Sequence, residues 1–185
     1  MDLNYEAIDE ILPLDFVKKA ARIERDDEDE FITSLIHAAV FQIERETGHL
    51  FGVREVIEAF ASFGAIRLRA WPVREITGVS FYDGASGLTV LDLDGLRVIG
   101  GSRPARVTRL PVLWPVAACL PDAVQVTFQA GYEPDEVPPT LRTVALMMVT
   151  ELWGQRESWT PGTISEVPLS LGVDRMLQPF RVYSL

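Results

Sequence analysis

The chain has 185 residues, of which 48% are hydrophobic and 24% charged, the balance of one globular domain rather than a disordered segment. A single cysteine, Cys119, excludes an internal disulfide framework, and Cys119 with only His37 and His49 is too thin a set for a Cys/His zinc site. The net charge of −10 argues against general grip on nucleic acid, which needs cations to displace condensed counterions. No apolar run reaches the roughly 18 residues of a membrane span, and the acidic start (Asp2, Glu6, Asp9, Glu10) is unlike a secretory signal, so a soluble intracellular protein is expected.

The charge is uneven. Residues 1–30 hold 11 acids against 4 bases, while residues 54–131 hold 7 acids against 8 bases. All bases but Lys18 and Lys19 are arginine, which reflects either a composition bias or the use of arginine at interfaces.

In chain order, Asp15 precedes Phe16-Val17-Lys18-Lys19-Ala20-Ala21-Arg22, a short helix with an acidic start and a basic end. Asp27 and Glu30 have capping-box spacing, and Ile32, Leu35, Ile36, Ala39 and Ile43 then recur on one face of a long helix that Gly48 stops. At about 20 residues that helix would run roughly 30 Å and need a partner along its length.

From residue 53 the period changes to two. Strands are expected over 53–61, 66–70, 77–82, 96–99, 105–110 and 124–129. Turn signals stand between them at Asp83-Gly84, Ser86-Gly87, Asp94-Gly95, Gly100-Gly101 and Pro121-Asp122. Trp71-Pro72 and Trp114-Pro115 read as strand ends. A further helix opens at Pro138-Pro139-Thr140 and carries Leu141, Val144, Ala145, Met148 and Leu152 to Trp153, with Gly154 as its stop. Gln155–Pro168 is polar and rich in turn formers, and the closing segment with Leu177, Phe180 and Tyr183 is too short to form its own core. The expected fold class is therefore α+β: a small helical bundle, an antiparallel β insertion between the second and third main helices, and an extended C-terminal tail. The divisions fall at 1–52, 53–131, 132–157 and 158–185 within one domain.

No catalytic constellation emerges. Gly84-Ala85-Ser86-Gly87 lacks nucleophile-elbow spacing, and Asp92-Leu93-Asp94-Gly95 lacks the remaining ligands of a calcium loop, so both read as turns. Neither His37 nor His49 has a serine or cysteine beside it, and Glu44 and Glu46 point to different helix faces. No catalytic, metal or cofactor-binding residue is assigned, and no cofactor is expected.

The order of these pieces resembles the phage head–tail connector (adaptor or head-completion) proteins, including those of phage-like gene transfer agents. The resemblance rests on Leu14-Asp15-Phe16-Val17-Lys18-Lys19, Arg22-Ile23, the acidic Asp26–Asp29, and Leu35-Ile36-His37-Ala38-Ala39 leading to Ile43-Glu44-Arg45-Glu46-Thr47-Gly48. It continues through Trp71-Pro72-Val73, Ile76, Val79, Tyr82-Asp83, Gly131-Tyr132, Val137-Pro138, Ala145, Arg156-Glu157 and Met176-Leu177-Gln178-Pro179-Phe180-Arg181. Phe180 stands where the family commonly has tyrosine, and the β insertion is long.

The resemblance implies a ring, typically of twelve copies, beneath the portal of a DNA-filled head. Such a ring joins the portal to a stopper or tail-side neck protein and lets DNA pass through a channel without sequence-specific binding. It implies location in the neck of a virion or gene-transfer-agent particle, synthesis in the bacterial cytoplasm, no membrane partner and no enzymatic activity. On that footing the tail residues Leu177, Pro179, Phe180 and Arg181 are candidates for docking on the portal. Ile32, Leu35, Ile36, Ala39, Ile43, Val144 and Met148 are candidates for the ring interface. Asp26, Asp27, Glu28, Asp29 and Glu30 are candidates for a channel wall that repels phosphates. A stopper or tail-terminator protein and a small β-rich binding module are the alternatives.

Overall fold

The computed structural model describes residues 3–24, 26–84, 87–101, 103–110, 113–155 and 171–182. The sequence elements that fall on 156–170, on Ala85-Ser86 and on Tyr183 lie outside the described residues. The chain is α+β and divides into two compact units, a β unit of Val53–Gly131 and a helical unit formed by the residues on either side of it.

The helical unit opens with α1 (Tyr5–Ile11), a seven-residue helix whose Asn4 side chain accepts the Ala7 N–H at 3.2 Å. Helix α2 (Leu14–Ala21) starts at Pro13 and ends on Arg22 in the left-handed conformation. The long helix α3 (Asp29–Thr47) spans 19 residues, about 28 Å at the usual rise. Gly48 stops it with φ 73° and its N–H bonded to the Glu44 carbonyl at 2.7 Å. The helix begins two residues after Asp27, with Glu28 as its N-cap, and the Glu28 side chain makes no capping bond. Acids Asp29 and Glu30 in the first turn still complement the helix dipole.

Helix α4 (Pro139–Gln155) packs along α3. Leu141, Val144, Ala145, Met148 and Val149 are buried on α4, as are Ile32, Ile36, Ala39, Val40 and Ile43 on α3. Each such aliphatic side chain contributes about 1.5–3 kcal/mol on leaving water, so this double stripe is the main support of the unit. Gly154 lies inside α4 rather than ending it, since one glycine costs a helix only about 1 kcal/mol. The last described elements are α5 (Leu171–Leu177) and a 3-10 turn, Gln178–Phe180. An isolated bridge pairs Phe51 with Tyr132, and the Tyr132 N–H bonds the Leu50 carbonyl at 3.1 Å, which holds the two ends of the helical chain together where the β unit is inserted.

The β unit contains two antiparallel sheets. The first takes β1 (Arg54–Phe60), β7 (Val124–Ala130), β3 (Val73–Asp83) and β4 (Gly87–Val90) in the order β1-β7-β3-β4. Its central strand β7 alternates strictly, with Val124, Val126, Phe128 and Ala130 wholly buried. Phe128 faces Val56 on one side and Ile76 on the other. The second sheet takes β2 (Arg67–Leu68), β6 (Ala105–Arg109) and β5 (Leu96–Ile99) in the order β2-β6-β5. Phe63 stacks on Trp114 with centroids 4.7 Å apart and meets Phe81 edge-on at 5.4 Å. Trp71-Pro72 immediately precedes β3 as expected, whereas Trp114-Pro115 lies in the connection between β6 and β7 and ends no strand. Among the described residues no helix is long and apolar enough to cross a membrane.

Candidate functional site

The C-terminal segment carries the docking residues expected from the sequence, and the helical unit holds it tightly. A helix of seven residues has little stability alone, so α5 depends on what it packs against. It inserts Val173 and Leu177, both wholly buried, and its principal helix neighbour is α4. Beyond it the Arg181 guanidinium bonds the Glu46 carboxylate of α3 and the Asp174 carboxylate of α5, the latter at 2.6 Å. The bond to Glu46 first, and that to Asp174 second, raise the Arg181 pKa above its already high ordinary value, so the guanidinium stays charged as pH rises. Phe180 meets the His49 ring edge-on, centroids 5.1 Å apart.

His49 links this segment to the start of the third main helix region. Its Nδ1 shares a 2.6 Å hydrogen bond with the Tyr132 hydroxyl, and the two rings lie nearly parallel. The Glu44 carboxylate, 2% exposed, accepts the Phe51 N–H at 2.7 Å. Thr47 accepts the His49 N–H at 3.1 Å and donates to the Ile43 carbonyl. The Glu-x-x-Thr-Gly-His run thus makes a polar plug under the C-terminal turn. Sequence reasoning placed His49 merely beyond the helix end; the signal it lacked was Tyr132, 83 residues downstream.

The candidate docking residues therefore divide. Leu177 belongs to the core of its own chain, Phe180 and Arg181 are half-buried against α3 and His49, and Pro179 is exposed. The picture of an extended tail is corrected for residues 171–180, which are helical and folded onto the helical unit because Val173 and Leu177 find an apolar seat there.

The ring-interface candidates pack mostly within the chain itself. Ile32, Ile36, Ala39, Ile43, Val144 and Met148 are buried within one copy and Leu35 is half-buried, so the stripe holds α3 to α4 and offers no free surface. The large apolar side chains exposed on the described part of the helical unit are Tyr5, Phe16, Phe31, Phe41, Leu171 and Val182.

The acidic candidates surround the α2–α3 connection. Lys18 buries its stem and sends its ammonium to Asp26 and Asp29, each at 2.6 Å. These two bonds, Asp26 before Asp29, raise the lysine pKa above its ordinary 10.5. Asp26, Asp27 and Glu30 are exposed, while Glu28 and Asp29 are half-exposed. His37 bonds Asp9 at 2.9 Å and lies against the Tyr5 ring. Among the described residues no group of three or more His, Cys, Asp or Glu side chains is arranged to hold a metal ion. Asp92 accepts the Asp94 N–H at 3.1 Å, the geometry of a turn before β5.

No protein-family model and no curated protein matches the chain. Solved structures do. The chain aligns over its full length, covering 94% of the matched chain, with a chain of "Neck of empty GTA particle computed with C6 symmetry" at 20% identity and TM-score 0.75. It aligns equally with one of "Virion of native gene transfer agent (GTA) particle" at 19% identity and TM-score 0.75, and with one of "Neck of native GTA particle computed with C12 symmetry" at 19% and 0.70. Both units of the chain thus have the fold of chains found in gene-transfer-agent neck and virion structures.

Proposed function

We propose that this chain is a structural component of a particle neck. In this reading it forms a ring beneath the portal, joins the DNA-filled head to a stopper or tail-side protein, and leaves a channel through which DNA passes. The observation that carries the reading is fold likeness over the entire chain, both units included, to chains of neck structures treated with sixfold and twelvefold symmetry. A ring needs a head-to-tail interface that closes, and a chain with two differently charged units suits that requirement. The reading is structural rather than enzymatic.

Within it, the C-terminal turn is the portal contact: Pro179 presents the outer edge, while Leu177, Phe180 and Arg181 fix the turn from behind. The ring contacts use the exposed Phe16, Phe31 and Phe41 rather than the buried stripe. The acids of residues 26–30 stand away from the channel in this reading: Asp26 and Asp29 pair with Lys18 of their own chain, and the rest of the cluster faces a neighbouring copy. Deleting the gene from the producing cell tests the reading. Filled heads and separate tails, rejoined when the gene is restored, are the expected products in electron micrographs. Intact head–tail particles without the chain would overturn it.

A further inference from the structure

The three-stranded sheet β2-β6-β5 has two unlike faces. Residues paired directly across strands share a face, so the pairings Arg67↔Arg106, Ile99↔Arg106 and Arg97↔Thr108 gather Arg67, Arg97, Arg106, Thr108 and Ile99 on one side. The opposite side carries the buried Leu68, Ala105 and Val107. Arg67, Arg97 and Arg106 are exposed, and none of the three strands contains a carboxylate. Arg67 and Arg106 stand directly opposite each other, which is repulsive unless an anion lies over both. Among the described residues none of these three guanidinium groups forms an ion pair. Of the acids near the sheet, Asp92 and Asp94 belong to the turn before β5, and the Glu58 carboxylate of β1 accepts the Arg69 and Ala70 N–H groups just after β2.

A chain of net charge −10 thus sets three exposed arginines on one small sheet face whose own strands carry no acid, while its densest acidic run lies at residues 24–30. We propose that this arginine face docks on the acidic Glu24–Glu30 segment of a second copy of the same chain. Charge complementarity selects that occupant: six acids and one arginine make up residues 24–30, Lys18 engages Asp26 and Asp29 within the chain, and Glu24 and Glu30 are exposed at the two ends of the run. Guanidinium groups recognise carboxylates through paired N–H donors, which gives the contact register as well as attraction. The two surfaces lie on different units, so each copy offers one basic and one acidic partner surface and the contact is head-to-tail. The inference deepens the ring reading and rests on it only for closure into a ring.

The test compares the wild type with Arg67→Glu/Arg106→Glu and with Glu24→Arg/Glu30→Arg. Sedimentation and native mass spectrometry follow each protein, alone and with purified portal rings, at low and high salt. Wild-type association falls as salt rises. Each variant alone associates at least about tenfold more weakly, and an equal mixture of the two restores association, because the reversed face of one then meets the reversed segment of the other. Circular dichroism verifies folding, and the milder Arg67→Gln/Arg106→Gln replaces any variant that does not fold. Wild-type association by the arginine variants, or a mixture that restores nothing, overturns the proposal. Loss of binding to short duplex DNA with unchanged self-association identifies nucleic acid as the occupant and overturns it as well. A wild type that associates through these residues yet ignores the portal upholds the contact and overturns the portal reading. A wild type that does neither overturns both.

Discussion

Leu177→Ala tests whether the C-terminal helix is part of the folded body. Leu177 is wholly buried, and α5, with seven residues, has no independent stability. Alanine removes about three methylene equivalents, a transfer loss near 2.4 kcal/mol at ~0.8 kcal/mol each. A cavity that relaxes incompletely raises the cost to about 2.5–5 kcal/mol. If α5 unfolds together with the helical unit, the melting temperature falls by roughly 2–4 °C for each kcal/mol, or about 5–20 °C in all. If α5 detaches alone, thermal unfolding changes little and residues 171–182 become sensitive to protease. Urea and thermal unfolding by circular dichroism, with limited proteolysis read by mass spectrometry, separate the two. Gln178→Ala, one residue on and exposed, is the control and changes stability by no more than about 0.5 kcal/mol. A Leu177→Ala protein with both wild-type unfolding and wild-type protease resistance would refute the packing argument.

Arg181→Met removes two charge-assisted bonds and leaves the Glu46 carboxylate, 18% exposed, with the Gln42 amide but no cation, so the C-terminal segment loosens by about 1.5–3 kcal/mol, measurable as faster amide exchange in α5. Lys18→Met lowers stability at neutral pH. Because pairing raises the Lys18 pKa, the lysine's contribution is present below 10.5 and disappears as pH rises through the raised value, so the gap in urea midpoint between wild type and variant closes across that alkaline range. Gly52→Ala is disfavoured twice: φ is +98°, and the new Cβ would lie 2.5 Å from Ala7 Cβ. A loss of about 2 kcal/mol or more in urea unfolding is expected, with α1 displaced.

Much of this architecture is legible in the sequence, and the failures have physical causes. The 3.6-residue stripe from Ile32 to Ile43 and the left-handed Gly48 announce α3, and the alternation from Val124 to Phe128 announces β7. Helix α1 was not anticipated, because seven residues show barely two turns of period. The same holds for β4, a four-residue edge strand with Leu88 and Val90 exposed. Periodicity reports that a face is buried, not what covers it. For that reason the α3 and α4 stripes were consistent with a ring contact until the structure put them against each other within one chain. The closing Leu177–Arg181 run reads from the sequence as apolar and in need of a seat, on this chain or on another protein. Its seat depends on Glu46, 135 residues away from Arg181, a separation no local pattern spans. The arginine alternation at Arg67 and Arg69 was visible, but its apposition to Arg106 needed the register of β2 on β6.

The central claim is that the chain joins a portal as a ring, and the most direct measurement is of the complex itself. Purified chain mixed with the portal ring encoded beside it should give a single complex by native mass spectrometry. Its added mass should be a whole-number set of this chain, and electron microscopy should show a coaxial ring with an open centre. A portal ring that remains bare, while the chain binds only the tail-side neck protein, would contradict the adaptor account and assign the chain to the far side of the neck.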